Sequence, residues 1–218
     1  MTPQDVITQA RSIINDDNAL MPERFSDTVL LGYVNQAVKR ACAMRPDLFI
    51  TSTTITPTVG QVEQELASTI TRLMEIHRVV GGNAVGEVDK ETMDRSAPDW
   101  TTETSGTPVN WMRHPRNPRR YYLYPAPATG TTLSAEYIAV PSDYAIGDTI
   151  GMPDSYKTAL IDCVVAIAEV VDNEHVETQR AKSFFDSFTQ ALGVDMQQRG
   201  MVDNESGQPE QQQQQRRN

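Results

Sequence analysis

Three histidines, two cysteines and several closely spaced acids are the residues of this 218-residue sequence best suited to chemistry. His77, His114 and His175 stand far apart, and none has a second ligand at metal-binding spacing. Neither H-E-x-x-H nor C-x-x-C occurs, so no metal is expected. Gly81 and Gly86 have the spacing of the glycines in a phosphate-binding loop, but Glu87 stands where that loop carries lysine. Its charge repels phosphate, and a glycine turn between two strands is the simpler reading. No G-x-S-x-G elbow occurs, and no serine, histidine and acid can be grouped above chance. Asp16 and Asp17 read as solvated turn residues. Asn204-Glu205-Ser206 has the form of a glycosylation acceptor with no secretion signal to give it meaning. Cys42 and Cys163 lie in apolar, helix-like stretches, where small buried thiols are common, so a disulfide framework is not expected and a reducing cytoplasm is compatible. These observations predict a protein that is not an enzyme and holds no cofactor.

Charge is patterned instead. Acids outnumber Lys and Arg by 29 to 19, a formal net charge of -10. That balance disfavours general binding to nucleic acid, whose affinity comes from Lys and Arg displacing counterions, but suits a surface past which DNA slides. Glu87, Asp89, Glu91, Asp94, Asp99 and Glu103 make one segment acidic, diluted by Lys90 and Arg95. Arg113, His114, Arg116, Arg119 and Arg120 make the next one basic, interleaved with Pro115 and Pro118. One reading is a pair of solvated loops. The sharper one is a contact between copies, with Arg113, Arg116, Arg119 and Arg120 of one subunit meeting Glu87, Asp89, Glu91 and Asp94 of the next; such head-to-tail contacts close into rings. Nucleic-acid binding by the basic loop ranks third.

The elements that position these residues follow from periodicity. Thr2-Pro3-Gln4-Asp5 is a capping sequence, and Val6, Ile7, Ala10, Ile13 and Ile14 follow at helical spacing until residues 15–18 stop the helix. A second helix from Ser26 or Asp27 carries Leu30, Tyr33, Val34, Ala37, Val38, Ala41 and Met44. Pro46 ends it, with Arg40 and Arg45 in its last turns, where they suit the helix dipole. Residues 51–58, 61–66, 74–80, 121–124 and 133–140 read as strands, with residues 125–130 as the turn between the last two. A third helix opens at Pro153-Asp154 and carries Leu160, Val164, Ile167, Ala168 and Val171. A fourth begins near Asp172-Asn173, with Ala181, Phe184, Phe188 and Leu192 in one stripe, Phe185 beside it, and Gly193 as its stop. The expected fold is α+β: a four-helix body from residues 1–49 and 151–195, a β-rich insertion at 50–150 and an extended polar segment at 196–218. That last segment, with Gln208, Gln211, Gln212, Gln213, Gln214, Gln215, Arg216 and Arg217, has almost nothing apolar to bury and reads as disordered in a free chain. No signal-peptide pattern opens the sequence and no apolar run approaches the roughly 18–20 residues that cross a bilayer, so a soluble protein is expected.

Trp100, Ser105-Gly106-Thr107-Pro108, Trp111, Arg120-Tyr121-Tyr122-Leu123-Tyr124-Pro125-Ala126-Pro127, Val140-Pro141 and Met152-Pro153-Asp154-Ser155-Tyr156 fall in an order that resembles the head-to-tail adaptors of short-tailed bacteriophages, the portal-adaptor family similar to tubular tail protein A. The likeness covers residues 1–195. Gly60-Gln61-Val62-Glu63 resembles the start of the family's insertion, although Gln64 and Ala67 replace its more usual tyrosine and proline. The resemblance implies a dodecameric ring docked on the portal, an open channel for passing double-stranded DNA without sequence-specific binding, and attachment to a tail nozzle or tail fibre protein. It also implies a virion protein assembled in the bacterial cytoplasm, with no membrane partner. Portal binding would fall to residues 196–218. Trp100, Trp111, Tyr122 and Tyr124 are expected to anchor the hairpin and loops. Rival readings are another head-completion or assembly factor, an envelope-degrading enzyme, and a sugar-binding module resting on the same aromatics.

Overall fold

The computed structural model describes residues 1–17, 23–171 and 178–206, which form two units, one of Met1–Arg45 with the described part of Ser142–Asn218, the other of Pro46–Pro141. The fold is α+β.

The first unit holds α1 (Pro3–Ile13), α2 (Asp27–Met44) and, in the numbering of the whole chain, α4 (Lys157–Val171) and α5 (Thr178–Ser206). The Thr2 hydroxyl accepts the Asp5 N–H (3.2 Å) and the Asp5 carboxylate accepts the Thr2 N–H (2.9 Å), a reciprocal cap that starts α1. Ser26 accepts the Val29 N–H to start α2. The helix α4 is apolar almost all round, burying Leu160, Ile161, Val164, Val165 and Ile167, and it packs against α1, α2 and α5. Its one buried acid, Asp162, accepts a hydrogen bond from the Ser187 hydroxyl of α5 (2.7 Å). Residues 143–150 belong to this unit. The Asn35 side chain both donates to and accepts from the Tyr144 backbone, Lys39 pairs with Asp143, and the Gln4 N–H donates to the Ile146 carbonyl.

Asp16 is no solvated turn residue. It is 6% exposed, and its carboxylate pairs with Arg11 (2.8 Å) while accepting the N–H groups of Arg24 (2.6 Å) and Phe25 (3.2 Å). Gly193 does not end α5, which runs on to Ser206. An interior glycine costs about 1 kcal/mol relative to alanine without breaking a helix. Gly193 is exposed, and nothing lies within 4 Å of the position a Cβ would take. Gly193→Ala is therefore expected to raise stability by up to about 1 kcal/mol, read as a higher melting temperature by circular dichroism. An unchanged or lower value would contradict it. The expected start of this helix at Asp172-Asn173, and His175, lie outside the described residues.

The second unit holds two sheets. Sheet A is antiparallel, in the order β1 (Ile50–Ile55), β7 (Leu133–Ala139), β3 (Ile70–Val79). Sheet B runs β2 (Glu63–Glu65), β6 (Arg120–Tyr124), β5 (Asn110–Arg113), β4 (Gly86–Glu87), with β4 parallel to β5. One core joins them, with Leu73, Ile76 and Leu133 from sheet A against Trp111, Tyr121 and Leu123 from sheet B. The register of β3 on β7 slips three times, at Ile70/Arg72, Leu73/Glu75 and Ile76/Arg78. Its buried residues Ile70, Leu73 and Ile76 consequently recur every third residue rather than every second. Gly81 takes the left-handed conformation (φ 72°) in the turn from β3 to β4, as the glycine-turn reading requires. The residues after Tyr124 do not close a hairpin, because β6 and β7 lie in different sheets and residues 125–130 carry the chain from one to the other. The acidic stretch read as a loop contains a helix, α3 (Lys90–Ser96), capped by the Asp89 carboxylate on the Glu91 and Thr92 N–H groups.

Candidate interaction surfaces

Sheet B carries the charged residues singled out in the sequence, and it pairs many of them within one chain. Glu87 on β4 lies beside Arg113 on the neighbouring β5 and meets it bidentately, Nε to Oε1 at 2.6 Å and Nη2 to Oε2 at 3.3 Å. Arg113 also donates to the Leu73 and Met74 carbonyls. Arg120 donates to Glu65 (3.0 Å) and Glu63 (3.3 Å) across the β2–β6 ladder, and Arg119 donates to Glu65 (3.3 Å). On α3, Lys90 meets Asp94 and Arg95 meets Glu91, each one helical turn apart. Asp89 is held as the cap of α3, so all four acids expected to reach another copy already have partners in their own chain. Arg116 is exposed and has no acidic partner among the described residues.

The aromatic residues lie inward. Trp100 is 2% exposed, sits edge-on to Tyr122 at 5.7 Å, and donates its indole N–H to Asp94 (2.8 Å). Trp111 is 1% exposed in the shared core, with the Arg113 guanidinium 4.8 Å from its ring centre. Tyr122 is stacked on His114, and the Tyr124 hydroxyl donates to Glu103 (2.9 Å). Burial takes both tryptophans out of any sugar-binding face.

Asp94 is held below its ordinary 3.8, first by the hydrogen bond from Lys90 and then by that from Trp100. A depressed carboxyl contributes stability above its unfolded value and loses it as pH falls through the folded one. Acid titration followed by tryptophan emission should therefore show a step below pH 3.8 that Asp94→Asn lacks. Identical traces for the two proteins would refute the assignment. Burial pushes the Cys163 thiol up to about 11, and Cys42 is also raised by burial. Neither thiol is poised for nucleophilic chemistry.

Concavities mark both units. One, of about 240 Å³, opens beside β3 and β5, with Leu73, Trp111, Pro115 and Pro118 among its walls. The other, of about 560 Å³, lies in the helical unit between α2, α4 and α5, where Val170, Val171 and Phe185 are exposed. Among the described residues no three potential ligands gather as a metal site, and no helix is long and apolar enough to cross a membrane. Gln208, Gln211–Gln215, Arg216 and Arg217 lie outside the described residues.

The surface therefore presents a charge-paired sheet, a cationic cleft and an apolar helical groove. The profile of the SU10 adaptor protein family matches residues 1–212, and the chain belongs to that family of phage adaptor proteins. No curated protein matches the chain.

Proposed function

We propose that the chain is a structural, non-enzymatic head-to-tail adaptor of a phage virion, assembling as a ring, dodecameric by the resemblance, that docks on the portal, continues the DNA channel and receives the tail. The observation that carries this reading is the family match over residues 1–212, nearly the whole of the chain. Two features support it. The helix α5 has 29 residues against 15 in α4, so at 1.5 Å per residue roughly 20 Å of it outruns its apolar partner. That length, leading to Gln208, Gln211–Gln215, Arg216 and Arg217, is suited to reach along another protein. The net charge of -10 suits a channel wall that DNA must pass without sticking.

In such a ring Glu87, Asp89, Glu91 and Asp94 and Arg113, Arg119 and Arg120, paired within each chain, add little affinity to a subunit contact and serve its register. Exposed pairs of this kind are individually worth about 0–1 kcal/mol. Imaging of purified particles tests the reading, with the chain expected at ring stoichiometry between portal and tail. Its absence from mature particles would assign it instead to an assembly factor that leaves.

A further inference from the structure

The cleft of about 240 Å³ beside β3 and β5 holds positive charge that no acid of its own lining balances. Arg72, Arg113, Arg116, Arg120 and His114 all line it. Arg113 is committed to Glu87, and Arg120 to Glu65 and Glu63. Arg72 and Arg116 have no acidic partner among the described residues. Two uncompensated guanidinium groups thus share one cavity in a chain of net charge -10. The loop that presents Arg116 is fixed by His114, whose Nδ1 accepts the N–H groups of both Arg116 (3.1 Å) and Asn117 (3.0 Å). Those two bonds place the neutral ring's proton on Nε2, so the ring is a donor at its other nitrogen.

We propose that this cleft receives side-chain carboxylates from an acidic segment of a partner protein. A planar guanidinium matches a carboxylate in two parallel hydrogen bonds, and the Arg113–Glu87 pair at its edge already shows that geometry. Duplex DNA fits poorly. Its phosphates lie along a broad convex ridge, and Glu63, Glu65 and Glu87 beside the arginines would repel a continuous phosphate backbone while sparing one fitted carboxylate. A second copy also fits poorly, since Glu87, Asp89, Glu91 and Asp94 are engaged in their own chain.

The test is calorimetric titration of the full chain with a short glutamate-rich peptide, beside the double variant Arg72→Ser/Arg116→Ser. Both positions are exposed, and unchanged tryptophan emission establishes that the variant is folded. Arg116→Glu serves as a second, charge-reversing variant. Binding by the parent chain, weakened about tenfold or more by either variant, is the expected result. Absence of binding, or equal binding by the variants, overturns the proposal. Tighter binding of short duplex DNA with the same arginine dependence would assign the cleft to nucleic acid. Self-association of the parent chain that the double variant abolishes would assign it to a second copy. Particle imaging bears on the ring and the portal, whereas this titration bears only on the cleft.

Discussion

Removing residues 196–218 is expected to leave a folded chain that no longer joins portal-containing heads. Ala181, Phe188 and Leu192, which seat α5 on the helical unit at 3%, 0% and 1% exposure, all lie before the cut. The removed sequence has few apolar residues, so its affinity per copy is small and its loss costs the folded unit little. Ordering a backbone residue costs about 1–2 kcal/mol, which leaves a polar segment little net gain from one docking event. Repetition around a ring changes that balance, since each further segment docks at the high effective concentration set by those already bound. The loss should therefore be close to complete rather than graded. Incorporation into particles, measured by quantitative blotting against the portal, checks it, and undiminished incorporation of the truncated chain would end the latch idea.

The second large effect is expected at Asp16. Its side chain is 2% exposed, and that of Arg11 is 10% exposed. Burial would lower the Arg11 pKa, but the hydrogen bond to Asp27 and the charges of Glu23, Asp27 and Asp16 more than offset it and hold the group up. Asp16→Ala removes the most buried of these acids and strips the acceptor from the Arg24 and Phe25 N–H groups, the latter in a buried setting. Breaking a buried pair by deleting one partner typically costs about 3–5 kcal/mol. The lower end is expected, because Glu23 (3.2 Å) and Asp27 (2.8 Å) still neutralise Arg11. For a chain of this size that corresponds to a melting temperature lower by roughly 6–12 °C. Asp16→Asn, which keeps an acceptor oxygen, should lose less. Thermal unfolding followed at 222 nm decides, and a shift of under about 2 °C would show that the network is dispensable.

The helices were legible because their signals are local. A capping hydroxyl and a stripe at three- and four-residue spacing specify α1 and α2 whatever lies elsewhere in the chain, with a first-turn proline added in α1. The sheets were less legible. The expected strand at 74–80 is only the second half of β3. Three register slips move its buried residues to every third position, which hides the alternation that marks a strand. Sheet membership of β6 and β7 is set by the core they share, which the connection at residues 125–132 cannot reveal. The helix α3 carries readable signals, an Asp cap and two i,i+4 charge pairs, which the run of acids around it masks. The state of Asp16 depends on Arg11 in the preceding helix, and adjacency to Asp17 concealed it. Arg72 does not stand out in the sequence for a similar reason, since only the fold brings β3 to the loop of Arg116.

The split path of the chain has a consequence during synthesis. The helices α1 and α2 leave the ribosome first, but α4, which packs against both, is made only after the whole of Pro46–Pro141. At about 5–20 residues per second that interval lasts several seconds. The sheet unit faces a shorter delay of the same kind, as β7, the last of its strands to be translated, is the middle strand of sheet A. The nascent chain therefore finishes its inner unit before its outer one. Until α4 emerges, the apolar stripes of α1 and α2 have only each other for cover, and that is when a chaperone would find them.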